Sequence, residues 1–273
     1  MPKRRTLQPL SALSQQARRA VRCVFTDIDD TLTTDGRLTA DAYAAMEGLQ
    51  GSGLLVVPIT GRPAGWCDHI ARMWPVDAVV GENGAFYFHY DRGARRMIRR
   101  YDQPETARRK NRDRLTALGT RILSEVPGCA IAADQPYRET DLAIDFCEDV
   151  PPLPKAEVDR IVALFEGAGA TAKISSIHVN GWFGRFDKLT MARRLMTEVF
   201  DMDIERDNAR FLFTGDAPND SPMFGFFENS IGVANVLDFR DRLAAEPAYI
   251  TAARGGAGFA ETAAALLEST RKS

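Results

Sequence analysis

The stretch Val24–Thr33, VFTDIDDTLT, decides how the rest of the chain is read. Cys23, Val24 and Phe25 form a short apolar run that stops abruptly at Asp27, Ile28, Asp29 and Asp30. The pattern predicts a buried strand whose carboxyl end delivers several carboxylates to one point. Crowded carboxylates repel one another, so the arrangement needs something positive, most simply a hard cation such as Mg2+. An Asp at a strand end beside a cation can also act as a nucleophile and form an acyl-phosphate. Alone, the stretch reads equally well as an acidic turn after a strand. Its neighbours have to decide.

Working outward, Thr39 is placed to cap a helix whose Tyr43, Met46 and Leu49 share a buried face. Gly51 and Gly53 close it, and LLVVPIT (Leu54–Thr60) follows as a continuous apolar strand. A second helix begins near Pro63, and Val76–Val80 makes a third strand that ends at GENGA, Gly81–Ala85. Apolar rather than alternating strands, separated by helices, predict an α/β fold: a Rossmann-like, doubly wound parallel sheet. The rhythm then changes. Ala85–Tyr90 and Arg96–Tyr101 read as a hairpin, a long polar helix spans about 104–126, and further hairpins alternate with a helix as far as Trp182. This mixed pattern predicts an inserted α/β domain over residues 84–183. From Asp187, a helix cap, the first rhythm resumes and leads to ARFLFTGD (Ala209–Asp216), a second buried strand ending in an Asp. The core is therefore expected at 21–83 and 184–271, with residues 1–20 as an extension whose frayed tail runs into a short helix near Leu10–Ala20.

Composition narrows the function classes. The 273 residues are 45% hydrophobic with a formal charge of −2, which suits a globular protein with no global attraction to nucleic acid or membrane. No apolar run approaches the roughly 18 residues of a membrane span. The basic N-terminal stretch with Lys3, Arg4 and Arg5 lacks the apolar region of a secretory signal. Cys23, Cys67, Cys129 and Cys147 show no CxxC pair, so reduced thiols in a cytoplasmic protein are expected and no zinc site is suggested. The segment Arg92–Arg114 is strongly basic but lacks the interleaved aromatics of a nucleic-acid surface, and reads as a solvated helix face.

Three strand ends carry matched chemistry: Asp27 and Asp29; Thr60, Gly61 and Arg62; and Asp216, Asn219 and Asp220 in GDAPND. In an open α/β sheet, ligands bind at the carboxyl ends of the strands, so these groups are expected to converge. A hydroxyl with free amides at a helix start suits a phosphate, and Lys188 at the start of another helix offers an ammonium to the same group.

DIDDTLT, ITGR, Lys188 and GDAPND, in this order, resemble the four motifs of the haloacid-dehalogenase (HAD) superfamily of phosphohydrolases. An α/β insert between the second and third motifs, entered through GENGA, is similar to subfamily IIB, which includes Cof-type, sucrose-phosphate, trehalose-phosphate and mannosyl-3-phosphoglycerate phosphatases. The resemblance covers about Cys23 to Phe259. It implies Asp27 as nucleophile and Asp29 as general acid and then base. It implies phosphate binding by Thr60, Gly61, Lys188 and Asn219, and Mg2+ held by Asp27, the Asp29 carbonyl and Asp216, with Asp220 orienting that shell. Asp30 stands where many relatives have Gly and is not read as functional.

The expected activity is Mg2+-dependent hydrolysis of a small phosphorylated metabolite, with a sugar phosphate favoured. The alternatives are a phosphomutase of the same superfamily and a non-catalytic sugar-phosphate sensor. His178, Asn180 and Trp182 alternate on one strand and share a face, which makes them substrate candidates beside Arg62, Arg138 and Glu139. His69 and His89 read as structural, and Cys67, near Trp66, as a packed thiol.

Overall fold

The computed structural model describes residues 7–271; the basic residues Lys3, Arg4 and Arg5 lie outside them. The chain starts with β1 (Gln8–Pro9), α1 (Gln15–Ala20) and β2 (Cys23–Thr26). A small hairpin of β3 (Thr33–Thr34) and β4 (Arg37–Leu38) precedes α2 (Ala40–Gly51), β5 (Leu55–Pro58), α3 (Ala64–Met73) and β6 (Val79–Gly81). Next come β7 (Phe86–Asp91), β8 (Arg96–Tyr101), α4 (Glu105–Glu125), β9 (Ala130–Ile131) and β10 (Asp141–Asp145). They are followed by α5 (Lys155–Gly167), β11 (Thr171–Ile174), β12 (His178–Trp182) and α6 (Lys188–Phe200). The last elements are β13 (Phe211–Gly215), α7 (Ser221–Phe226), β14 (Asn229–Gly232), β15 (Tyr249–Ile250) and α8 (Gly255–Arg271).

The main sheet has the order β1-β15-β14-β13-β2-β5, every pair parallel. Strands β2, β13 and β14 are buried at every position because both faces of the sheet are covered. Val24, Val56, Leu212 and Ile231 pack into one buried cluster, and Phe25, Val57, Phe211 and Phe213 into another on the opposite face. Both helix caps read from the sequence are made: Thr39 accepts from the Ala42 amide and Asp187 from the Thr190 amide.

Two expected boundaries shift. The hairpin β7–β8, placed by sequence in the insert, belongs to the core. Its partner β6 bridges β5 through Ile59 and Val80, β7 pairs with β6, and Phe86 and Phe88 sit in the same buried cluster as Val24 and Val56. Aromatic and apolar residues of the hairpin thus extend the core, and the insert starts near 102–104 rather than at 84. The N-terminal segment, from residue 7 onward, is not a frayed tail either. Strand β1 pairs with β15, and Leu10 and Leu13 are buried in the core.

The insert is an antiparallel sheet of order β11-β12-β10-β9. Leu142, Ile144 and Val179 on one face pack with Leu115, Leu118 and Ile122 of α4 and Ile161 and Phe165 of α5. The other face presents Asp141, Ala143 and Asp145 opposite Trp182, Asn180 and His178, in register, toward the core. Trp182 stacks on Phe186, 5.4 Å between ring centroids, and joins the core cluster, so the insert is seated on the core as a cap.

The turn between β6 and β7 runs through Glu82, Asn83 and Gly84, all at positive φ. At Gly84 (φ +105°) a Cβ would lie 2.0 Å from the carbonyl oxygen of Asp187, so only glycine lets this turn press against the start of α6. Among the described residues no helix is long and apolar enough to cross a membrane, and all four cysteines are unpaired.

Candidate active site

Strands β2 and β13 are adjacent and in register, Thr26 opposite Thr214, so the residues just past their ends meet. The Asp27 amide donates to the Thr214 carbonyl (2.9 Å), and carboxylate oxygens of Asp27, Asp216 and Asp220 lie within 4.8 Å of one another. Lys188 Nζ reaches Asp27 Oδ1 at 2.7 Å and Asp220 Oδ1 at 2.6 Å. The other Asp220 oxygen accepts from the Asp216 and Ala217 amides, and Asp216 accepts from Thr31 Oγ1 (3.0 Å) and Asn235 Nδ2 (3.3 Å).

One ammonium does not balance three buried carboxylates. Burial, with Asp220 and Asp29 adding to it against Lys188, pushes the Asp27 carboxyl up to about 8. Burial and the charges of Asp27 and Asp220 push Asp216 well above the ordinary carboxylate range. Burial works against the charge of Lys188, but Asp220 and Asp27 outweigh it and hold the lysine above its usual range. An all-oxygen donor set short of positive charge is what a hard divalent cation such as Mg2+ requires, so these residues fit one.

Beside this cluster the segment after β5 turns back. Thr60 Oγ1 accepts from the Arg62 amide (3.0 Å), the Asn83 amide donates to the Thr60 carbonyl (3.0 Å), and Asn219 Nδ2 donates to Asn83 Oδ1 (3.2 Å). Asn83 thereby ties the Thr60–Gly61 loop to the GDAPND loop. Its own Nδ2 is buried without a partner, a free donor of the kind an anion's oxygen would satisfy.

Arg62 joins core to cap. Its Nε lies 2.9 and 3.0 Å from the two oxygens of Asp29, its Nη1 reaches Asp134, and its Nη2 meets Glu148 Oε1 at 2.6 Å. The loop bearing Glu148 is shaped by buried Asp145, which accepts from the amides of Cys147, Glu148 and Asp149. His178 Nε2 approaches Glu148 Oε2 to 2.9 Å. Burial alone would raise the Glu148 carboxyl, but His178 and Arg62 outweigh it and bring it down to about 2. A second tie runs from Arg138, which grips Asp134 and Asp141 within the cap and donates to the Gly61 carbonyl at 2.7 Å. A third is Glu82, fully buried in the core turn. It accepts from the amides of Ala64, Glu139 and Thr140 and from the Thr140 hydroxyl, and burial with the nearby Asp141 charge pushes it up to about 7.

The structure therefore brings together Asp27, Lys188, Asp216 and Asp220 directly, with Thr60, Gly61 and Asn219 linked through Asn83. Asp29 stands apart from the carboxylate cluster, on Arg62. Of the cap candidates, His178 meets Glu148 and Asn180 donates to Asp141 while lying next to Gly61. Trp182 is packed on Phe186, and Glu139 is engaged by Tyr101 and Arg108. Sequence reasoning passed over Glu82, Asn83, Asp134, Glu148 and Asn235. GENGA offered a signal for the first two, since consecutive positive-φ positions often fall on Asn and Gly. Asp134 and Glu148 sit in unremarkable loops, and Asn235 at the start of a 3-10 helix (Ala234–Arg242).

Residues 24–107 match a family described as haloacid dehalogenase-like hydrolase. Over those residues the sequence is haloacid dehalogenase-like. No curated protein matches the sequence. Among solved structures, a Thermoplasma acidophilum protein shares 17% identity at a TM-score of 0.67, covering 90% of this chain and 98% of that one. A HAD subclass IIB sugar phosphatase aligns with 13% identity and a TM-score of 0.60, over 92% and 98% of the two chains. The sucrose-phosphatase of Synechocystis sp. PCC6803, solved with sucrose and phosphate, aligns with 16% identity and a TM-score of 0.60, over 91% and 98%. The fold shared with these structures spans nearly the whole chain, while the family match covers its opening motifs, the hairpin and the start of α4.

Proposed function

We propose that this protein is a phosphatase that hydrolyses a small phosphorylated metabolite, a sugar phosphate, through a phosphorylated Asp27. The observation that carries the reading is the Asp27 carboxylate held 2.7 Å from Lys188 inside a cluster short of positive charge. Its solved neighbours include proteins described as a sugar phosphatase and a sucrose-phosphatase, which supports a sugar phosphate as substrate. The four unpaired cysteines support a reducing, cytoplasmic compartment.

Lys188, Asn83 and the amides after β5 hold the phosphoryl oxygens, whose negative charge is spread over three atoms in a metaphosphate-like transition state. An oxygen of Asp27 attacks phosphorus, the bond to the leaving oxygen breaks, and Asp29 donates its proton to the departing alkoxide. Asp29 then takes a proton from water, whose oxygen attacks phosphorus, releasing inorganic phosphate and restoring Asp27. Arg62 holds Asp29 in the seated cap, so proton delivery requires the carboxyl to turn from Arg62 toward the leaving oxygen. When bound by Asp27, Asp216 and the Asp29 carbonyl, with Asp220 orienting them, Mg2+ supplies charge that offsets repulsion between the carboxylates and the phosphate.

The test is phosphate release from a panel of phosphorylated metabolites with Mg2+, comparing wild type with Asp27→Asn. Release by wild type and loss of at least about a thousandfold in the variant is the expected result. Normal turnover in Asp27→Asn would overturn the proposal.

A further inference from the structure

A cavity of about 380 Å³ lies between the β3–β4 hairpin and α3, inside the roughly 300–1,000 Å³ range of small-molecule sites. Its walls include Leu38, Trp66, His69 and Trp74, and they include Asp29 and Arg62 as well. It therefore opens directly onto the residue that meets the leaving group under the phosphatase reading. Resting on that reading, we infer that this cavity takes the body of the leaving group, and that it suits an uncharged cyclic sugar whose C–H face lies on Trp66.

Three observations carry the assignment. First, the cap side of Asp29 is filled. Arg62 is 4% exposed and is packed among Asp29, Asp134 and Glu148, so a leaving group protonated by Asp29 finds space in the cavity instead. Second, Trp66 keeps 42% of its surface exposed in this concave place, with the Arg62 guanidinium 4.5 Å above its ring. The cation covers one face of a flat, amphipathic ring and leaves indole surface for a second flat partner. Third, the charge balance rejects a second anion. Arg62 already serves three carboxylates, and the cavity wall contributes no other arginine or lysine, so a phosphorylated acid would set its carboxylate beside Asp29 uncompensated. Polar partners are few, with His69 the main one. That suits a ring presenting apolar C–H groups inward and hydroxyls to the open rim, and gives little to a flexible three-carbon chain. Trp66, His69 and Trp74 become specificity-determining residues, a role the sequence did not give them.

The experiment compares hexose phosphates with glycerol 3-phosphate in wild type, Trp66→Ala and Trp66→Phe. In Trp66→Ala, the ratio of kcat/KM for the preferred hexose phosphate to that for glycerol 3-phosphate should fall about tenfold, mostly through KM, and Trp66→Phe should retain most of it. A ratio unmoved in a Trp66→Ala protein with native circular dichroism overturns the inference, as does a wild-type preference for glycerol 3-phosphate or a phosphorylated acid. If wild type releases phosphate from nothing, the phosphatase reading fails on its own. The cavity is then tested by indole fluorescence with hexose phosphates as titrant. A saturable change lost in Trp66→Phe sustains the cavity as a sugar site, and a silent titration overturns it.

Discussion

The cluster around Asp27 and the knot around Arg62 are both buried and both rich in carboxylates, yet their acids move in opposite directions. Asp27 rises to about 8 while Glu148 falls to about 2. Burial opposes the charged form in both places, so the difference lies in partners. One lysine, paired with Asp27 and Asp220, stands against the three carboxylates of Asp27, Asp216 and Asp220. In the knot, a bidentate guanidinium and an imidazole face carboxylates that come from two domains. Under the proposed reading, the first cluster is completed by a cation from outside, whereas the second is completed when the cap sits down. That reading makes cation binding and cap seating separable properties of the molecule.

The strongest way to break that separation is to strip divalent cations. Chelation should lower phosphate release by about a hundredfold to a thousandfold, with limited proteolysis of the cap crossings unchanged. The pH dependence follows in sign. Because the folded Asp27 carboxyl lies near 8 rather than near its ordinary 3.8, the cation-free protein is stabilised at low pH and loses that stability as pH rises through about 8. Added Mg2+ should erase the loss and bind more tightly with rising pH, as thermal melts and calorimetric titrations would show; a flat pH response would refute the imbalance of charge.

Next in size, Arg62→Ala leaves Asp29, Asp134 and Glu148 without their shared cation and should cost about 3–5 kcal/mol in urea unfolding. It should expose the cap crossings to protease and alter Mg2+ affinity far less. Equal losses in both would mean that the two clusters are one. A smaller effect is expected for Glu148→Gln, on the order of 1–2 kcal/mol at neutral pH once solvent screening of this half-buried group is discounted. Here the sign reverses: the folded carboxyl is depressed from 4.5 to about 2, so its contribution is present above about 4.5 and lost as pH falls toward 2. The variant should therefore show a flatter acid limb than wild type. Smallest is His178→Gln, which loosens a partner of Glu148 by about 1 kcal/mol or less and leaves the ranking of substrates as it is. A changed ranking would return this histidine to the role of substrate reader.

The parallel core was legible because apolar runs ending in Asp27, Thr60 and Asp216 encode both burial and strand ends. The hairpin β7–β8 was misplaced because hairpin periodicity is local, whereas its membership in the core depends on Phe86 and Phe88 meeting Val24 and Val56 across the fold. Strand β1 escaped notice because two residues carry no period at all. The candidate residues of the core follow short motifs fixed by strand geometry. Arg62's partners do not, because Asp134 and Glu148 come from cap loops whose placement follows from domain docking. The shared face of His178, Asn180 and Trp182 was correctly inferred from alternation, but what that face meets was beyond the sequence.

Gly84 gives Lys188 its reach without touching it. A methyl group there would have to move the Asp187 carbonyl by about 1 Å, and Lys188 is the next residue along. Displacements of that size at a reacting centre cost on the order of a hundredfold in rate. Gly84→Ala is thus expected to look like a catalytic lesion in kinetics while every acid, base and phosphate ligand remains in the chain. The depth of the lysine is set by an atom that is missing.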